Sequence, residues 1–187
     1  MRPVVLQMGV TVDGYVAGPG GEGDWGLPPE HPDVRAWKVA SLRQVGTHIM
    51  GRVTYEQMAR HWPNASGDYA GFMNNLPKVV FSTTLPAAEW VGSRIARGDL
   101  AEEIAALKSE TGSGIIMAHG GAVFVQALSR LGLIDEYRLV ILPVALGNGL
   151  PLFKDLAKPL RVDLADAKSF PDGTVIHIYR PITTTDT

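Results

Sequence analysis

GIIMAHGGAVFVQALSRL, residues Gly114 to Leu131, decides how the chain folds. Ile115, Ile116, Met117 and Ala118 form an unbroken apolar run, too short for a helix and suited to a strand buried on both faces. His119 and a glycine pair follow. From Ala122 onward the spacing changes, with Val123, Ala127, Leu128 and Leu131 on one stripe at helical period. The order is strand, Gly-Gly, helix. Such a junction aims unbonded backbone N–H groups, and the positive end of a helix dipole, at the space beyond the strand's carboxyl end, where a phosphate can sit. A glycine pair also serves a plain tight turn, so the anion-binding reading needs support from other junctions.

Working outward, 187 residues suit one domain with a core large enough to need no metal or disulfide staple. The chain has no cysteine, which excludes disulfides and thiol-ligated metals. The start, MRPVVLQMGV, is too short and too interrupted by Gln7 for a secretory segment, so a cytoplasmic location is expected. No run approaches the roughly 18 apolar residues of a membrane span. Net charge is -2 with acidic and basic residues interspersed, which argues against a nucleic-acid surface. No His spacing resembles a metal site.

Taken in order, Val4 to Val12 reads as a buried first strand ended by Asp13-Gly14. The next stretch, YVAGPGGEGDWGLPPEHP, holds five glycines and four prolines and is expected to be a long shaped loop, the kind that carries function. Asp33 sits where a helix N-cap belongs, and Val34, Trp37, Leu42 and Val45 predict a helix from about Val34 to Val45. Thr47 to Met50 is a second strand, broken by Gly51-Arg52, and Thr54 to Arg60 returns to helical spacing. A turn of helix is expected near Tyr69 to Met73, a strand over Lys78 to Phe81, and a weaker strand over Glu89 to Ile95. Asp99 with Glu102 reads as a capping box for the helix through Leu107. Asp135 to Leu142 is a strand, Val162 to Ala167 and Thr174 to Tyr179 close the fold as an antiparallel pair, and the tail ITTTDT is expected to fray.

Strand and helix alternate through the first two-thirds, so the expected class is α/β, a mostly parallel central sheet with helices on both faces and an antiparallel C-terminal pair. Ligands of such sheets lie outside the strands' carboxyl ends. Three of those ends carry phosphate-type chemistry: Gly51-Arg52-x-Thr54, Ser82-Thr83-Thr84 and Gly120-Gly121. Together they point to a nucleotide or dinucleotide, with Arg52 offering a planar fork and the hydroxyls compact donors; an ordinary surface salt bridge is the other reading of Arg52. Neither G-x-G-x-x-G nor G-x-x-x-x-G-K-[ST] is present, which argues against an ordinary Rossmann dehydrogenase or P-loop NTPase.

The segments MGVTVDGYVAG, MGRVTYE, VVFSTTL, HGGAVFVQAL and LIDEYRLVILPVALGNGLPLF resemble, in order and spacing, the dihydrofolate reductase-like superfamily, in its branch containing the reductase domain of riboflavin biosynthesis and many stand-alone proteins. The resemblance spans Val4 to about Tyr179. It implies a dihydrofolate reductase-like three-layer sandwich and an NADPH-dependent oxidoreductase that reduces a small heterocyclic or imine-like substrate. A pterin or a ribosylaminopyrimidine is the type, as in 5-amino-6-(5-phosphoribosylamino)uracil reductase activity. By the same resemblance Gly51, Arg52, Val53 and Thr54 hold cofactor phosphates. Ser82, Thr83 and Thr84 lie by the adenosine 2′-phosphate, and Gly120, Gly121, Ala122, Val123 and Phe124 cradle the pyrophosphate. Met8, Gly9, Val16, Ala17 and Gly18 line the nicotinamide side, and the loop from Gly14 to Trp25 acts as a lid. Homodimers are common in the family, and the apolar DEYRLVILPV region is a candidate interface.

Two departures bear on specificity. An arginine that folate-reducing members carry after the third junction's glycines is Ala122 here, leaving Arg52, Arg94 or Arg97 to supply charge for a 2′-phosphate. The acidic residue that riboflavin-pathway reductases place before the glycine pair is His119 here. For the carboxylate that orients the substrate ring, Trp25-Gly26-Leu27-Pro28 read forward leads to Glu30, and Trp37-Lys38 read backward leads to Asp33. Both stay open at the sequence level. So does a dinucleotide-binding module without turnover, and so does a phosphosugar enzyme on a similar scaffold. His48 and His119 read as strand and turn residues, Asp135 and Glu136 as packing or capping groups, and Trp62, Trp90 and Tyr137 as core or interface aromatics.

Overall fold

The computed structural model describes residues 1–182. Its strands are β1 (Val4–Thr11), β2 (Tyr15–Ala17), β3 (Val45–Gly51), β4 (Lys78–Phe81), β5 (Ser93–Ala96), β6 (Ile115–Ala118), β7 (Glu136–Leu142), β8 (Leu150–Pro151), β9 (Val162–Ser169) and β10 (Val175–Pro181). The helices are α1 (Pro32–Leu42), α2 (Arg52–His61), α3 (Ala70–Asn75), α4 (Leu100–Ser109) and α5 (Ala122–Arg130).

Eight strands form one sheet in the order β5-β4-β3-β6-β1-β7-β10-β9. The first six run parallel, with Val5 opposite both Met117 and Glu136, and β10 and β9 close the sheet antiparallel. Apolar runs fill the centre because strands covered on both faces have no polar side to present. On one face Leu6, Ile49, Ile116 and Ala118 pack with Ile104 and Leu107 of α4 and Val125 and Leu128 of α5. On the other, Met50, Val80 and Met117 pack with Leu42 of α1, Tyr55 of α2 and Met73 of α3, and Val34 of α1 covers Val140 and Ile176. The result is a helix, sheet, helix sandwich, the α/β class that the pattern of elements predicts.

Several details differ from the sequence expectations. Helix α1 stops at Leu42, where the Gln44 N–H closes a tighter turn on the Ser41 carbonyl, and Val45 instead starts β3 opposite Ile115. Asp33 is not the N-cap: Pro32 takes the first helical position, His31 Nδ1 accepts the Asp33 N–H at 3.2 Å, and Asp33 itself lies exposed in the first turn. Asp99 does cap α4, accepting from Ala101 and Glu102 N–H, but the carboxylate that returns the bond is Glu103, to the Gly98 N–H. The strand expected from Glu89 begins only at Ser93, since the Trp90 N–H donates to Tyr55 Oη. The DEYRLVILPV region lies largely in the core, with β7 flanked by β1 and β10 and buried over most of its length within the chain itself. Ile182 donates to the Arg161 carbonyl, and the rest of the tail lies outside the described residues.

Candidate functional site

Parallel pairing of β3, β4 and β6 brings the three phosphate-type strand ends to one rim of the sheet. Helices α2 and α5 start there next to each other: a Cβ on Gly51 would lie 3.0 Å from Phe124 Cβ, and one on Gly121 3.0 Å from Thr54 Oγ1. Gly120 and Gly121 both have positive φ, 103° and 80°, a conformation that L side chains rarely adopt, and a Cβ on Gly120 would press on Met8 Cε at 3.1 Å. The ends of β6 and β3 therefore meet beside Met8 of β1.

What these two helices lack is informative. The N-termini of α1 and α4 are satisfied by side chains and carry acidic residues in the first turn. Those of α2 and α5 have neither a side-chain cap nor an acidic first-turn residue. Their first N–H groups and their positive dipole ends are unspent. Val53 and Val123, one on each first turn, are more than half exposed, an apolar flank on either side of the free donors.

The neighbouring strand end is more occupied. Ser82 Oγ accepts from the Thr84 and Leu85 N–H groups, so its hydroxyl shapes the turn, while Thr83 and Thr84 are exposed. Arg97 reaches the same turn, donating to the Thr83 carbonyl at 3.1 Å and the Leu85 carbonyl at 2.6 Å. Arg94 sits elsewhere, paired with Glu103 and Glu110 and lining a hollow of 730 Å³ at the opposite edge of the sheet. Arg52 is exposed and paired with Glu56 on its own helix at 2.9 Å. Of the three arginines, Arg97 stands with Ser82 and Thr83.

Met8 and Gly9 lie within β1, Val16 and Ala17 in β2, which packs against β1, and Gly18 directly after it. Here the structure adds two short strands that the glycine-rich sequence hid: β2 pairs with β8, and the Leu152 N–H donates to the Gly14 carbonyl. Asp13 fastens this corner, accepting from Thr11 Oγ1 at 2.5 Å and from the Leu146 and Gly147 N–H groups. The Thr11 hydroxyl, aided by those N–H groups, holds its carboxyl below the usual carboxylate range.

The two candidate carboxylates differ sharply. Asp33 has a side chain 67% exposed and a His31 ring nitrogen at 3.8 Å, whereas Glu30 is 22% exposed and lies between Lys38 Nζ and Tyr69 Oη. Burial, then the hydrogen bond to Glu30, drives the Tyr69 hydroxyl's pKa up, so it remains a donor. One pair escaped the sequence entirely: His48 on β3 and His119 after β6 stand with Nδ1 and Nε2 2.6 Å apart. They are 71 positions apart in sequence, and only the β3–β6 pairing signals their contact.

The comparisons with known proteins fall on the same architecture. The model of the RibD C-terminal domain family matches residues 2–176. The uncharacterized protein YyaP of Bacillus subtilis (strain 168) is 30% identical over 95% of this chain and 94% of its own length. A protein from Shewanella sp. PV-4, provisionally assigned to riboflavin biosynthesis, superposes with a TM-score of 0.79 at 24% identity, covering 97% of this chain and 99% of that one. Dihydrofolate reductase from Enterococcus faecalis, solved with NADP(H), shares the fold at a TM-score of 0.63 and 14% identity, covering 96% of this chain and 96% of that one. With a family model that spans nearly its whole length, on a dihydrofolate reductase-like fold, the chain belongs to the RibD C-terminal domain family.

Proposed function

We propose that the protein is an NADPH-dependent reductase that delivers a hydride to a small heterocyclic or imine-like substrate of the pterin or ribosylaminopyrimidine type. The observation that carries this reading is the pair of uncapped helix N-termini at α2 and α5, set side by side over the glycines Gly51, Gly120 and Gly121. The residues present fit a dinucleotide. The N–H groups of Arg52, Val53 and Thr54 and of Ala122, Val123 and Phe124 would hold its phosphates. Gly120 and Gly121 keep the space between them clear, and Val53 and Val123 shield it. Arg97, beside Ser82, Thr83 and Thr84, would meet a 2′-phosphate in place of the arginine missing at Ala122. When bound, NADPH supplies the hydride.

The protein's remaining task is to orient the acceptor ring and exclude water. Met8, Gly9, Val16, Ala17 and Gly18, fastened through Asp13 and the β2–β8 pair, would form the wall on the nicotinamide side. Glu30 suits the orienting carboxylate better than Asp33: it is half-buried, and Lys38 and Tyr69 fix its oxygens. Purified protein should bind NADPH and consume the reduced-nicotinamide absorbance with a dihydropterin or a ribosylaminopyrimidine. Absence of NADPH binding would refute the proposal. A dinucleotide-binding module without turnover is the second reading, favoured by the engagement of both Glu30 oxygens with Lys38 and Tyr69; NADPH binding with no oxidation across those substrates would select it.

A further inference from the structure

The His48–His119 pair has one arrangement of protons that satisfies every bond. His48 Nε2 lies 3.0 Å from the Phe72 carbonyl oxygen, which can only accept. The proton of neutral His48 therefore sits on Nε2 and leaves Nδ1 as an acceptor. His119 Nε2, 2.6 Å away, must then be the donor, so neutral His119 carries its proton on Nε2 and an open lone pair on Nδ1. The rings are tilted by 52° with centroids 4.6 Å apart, a contact fixed by the parallel register of β3 and β6.

Two further facts bear on that lone pair. His119 is half-buried at the rim, directly before Gly120, and its Nδ1 has no hydrogen-bond partner among the described residues. Among those residues the only fully buried side-chain nitrogen or oxygen without a partner is Ser93 Oγ, so His119 Nδ1 is not sealed from solvent. The pair also stays uncharged. Burial, with Lys78 on β4 adding to it against the Phe72 hydrogen bond, pushes His48 down to about 4, and burial with His48 pushes His119 well below its ordinary value. Among the described residues no carboxylate hydrogen-bonds to either ring.

We propose that His119 is a specificity-determining residue that accepts, through a neutral Nδ1, a hydrogen bond from an uncharged N–H of the bound substrate, a lactam or amino group on a heterocycle, and that His48 is the positioning residue that locks this tautomer. The pair is not a proton relay. A proton taken at His119 Nδ1 would move the Nε2 proton to His48 Nδ1 and then have to displace the His48 Nε2 proton onto an amide carbonyl, which cannot keep it. The ligand class rests on the reductase reading; the tautomer does not.

Long-range nitrogen–proton NMR of histidine-labelled protein, without cofactor, tests the tautomer independently of NADPH binding. His119 and His48 should both be protonated on Nε2 alone at neutral pH, and protonation of His119 Nδ1 would overturn the proposal. The probes for the ligand class are isocytosine and its fully N-methylated analogue, which keeps the ring and has no N–H. In protein saturated with NADP⁺, isocytosine should bind about tenfold tighter and move the His119 Nδ1 resonance. Equal affinities, or no binding of isocytosine, would overturn the assignment. His119→Gln, which keeps an acceptor, should retain most of the preference, and His119→Leu should lose it. His48→Phe should lose it as well and release His119 into mixed tautomers; if that variant does not fold, the two His119 variants decide.

Discussion

The two ends of the parallel sheet are built from the same strands and behave oppositely. At the amino edge Arg2, Lys78, Arg94, Lys108 and Asp135 are spent on the protein itself. Arg2 donates to the Gly114 carbonyl and to Thr47, and Asp135 accepts the Val4 N–H and an ion pair from Lys108. Lys78, fully buried, gives its ammonium to the carbonyls of Asn74, Leu76 and Val91 and lies 4.5 Å from the centre of the Trp90 ring. A hollow of 730 Å³ opens there, and two of the arginines that line it already have partners, Glu103 and Glu110 for Arg94 and Glu110 for Arg2, while Arg43 is exposed. At the carboxyl edge α2 and α5 leave their first N–H groups free. Unspent backbone donors at helix starts, rather than the size of a hollow, mark the proposed binding end.

If that contrast is right, damage at the two ends should separate into stability and binding. Lys78→Met strands three carbonyls and should cost on the order of 4 kcal/mol, a drop of about 10 °C in Tm by calorimetry, with NADPH affinity unchanged. Acid should act through the histidine pair between the ends. The folded-state pKa of His48 is lowered from 6.5 to about 4, chiefly by burial, so between those values the unfolded chain binds a proton that the native chain refuses. Stability should therefore fall as pH drops through that window, by up to about 3 kcal/mol from His48 in urea titrations, and His48→Gln should flatten the slope.

Gly121→Ala places a Cβ at positive φ and against Thr54 Oγ1, so NADPH binding by calorimetric titration should weaken about tenfold. The smallest effects should come from the arginines. Arg97→Ala should lower affinity for NADPH severalfold while sparing NADH, and Arg52→Ala, with its exposed charge already paired to Glu56, should change NADPH affinity by less than about threefold. Equal losses from both variants would break the assignment of Arg97 to the 2′-phosphate.

Much of the sheet was legible because apolar runs such as Ile115–Ala118 and Val79–Val80 have no other use than burial. The glycine junctions were legible for the same local reason, since strand, glycine and helix follow one another within a few residues. Misreadings arose where a distant partner decides. Val45 fits the spacing of α1 and is claimed by Ile115, and the short β2 and β8 exist only by pairing with each other. Asp33 lost the cap to a neighbouring His31, and Glu30 became the better-held carboxylate through Lys38 and Tyr69, contacts that span 8 and 39 positions. His48 and His119 look ordinary one at a time and acquire meaning from the register.

The central claim is that the backbone donors at the start of α2 and α5 receive the phosphates of one dinucleotide. Amide NMR during a titration with NADPH tests it most directly. The N–H resonances of Val53, Thr54, Ala122, Val123 and Phe124 should shift together with one affinity while those of Gly46, Gly92 and Gly114 at the amino edge stay still. Shifts confined to the amino edge, or two unrelated affinities for the α2 and α5 amides, would contradict it.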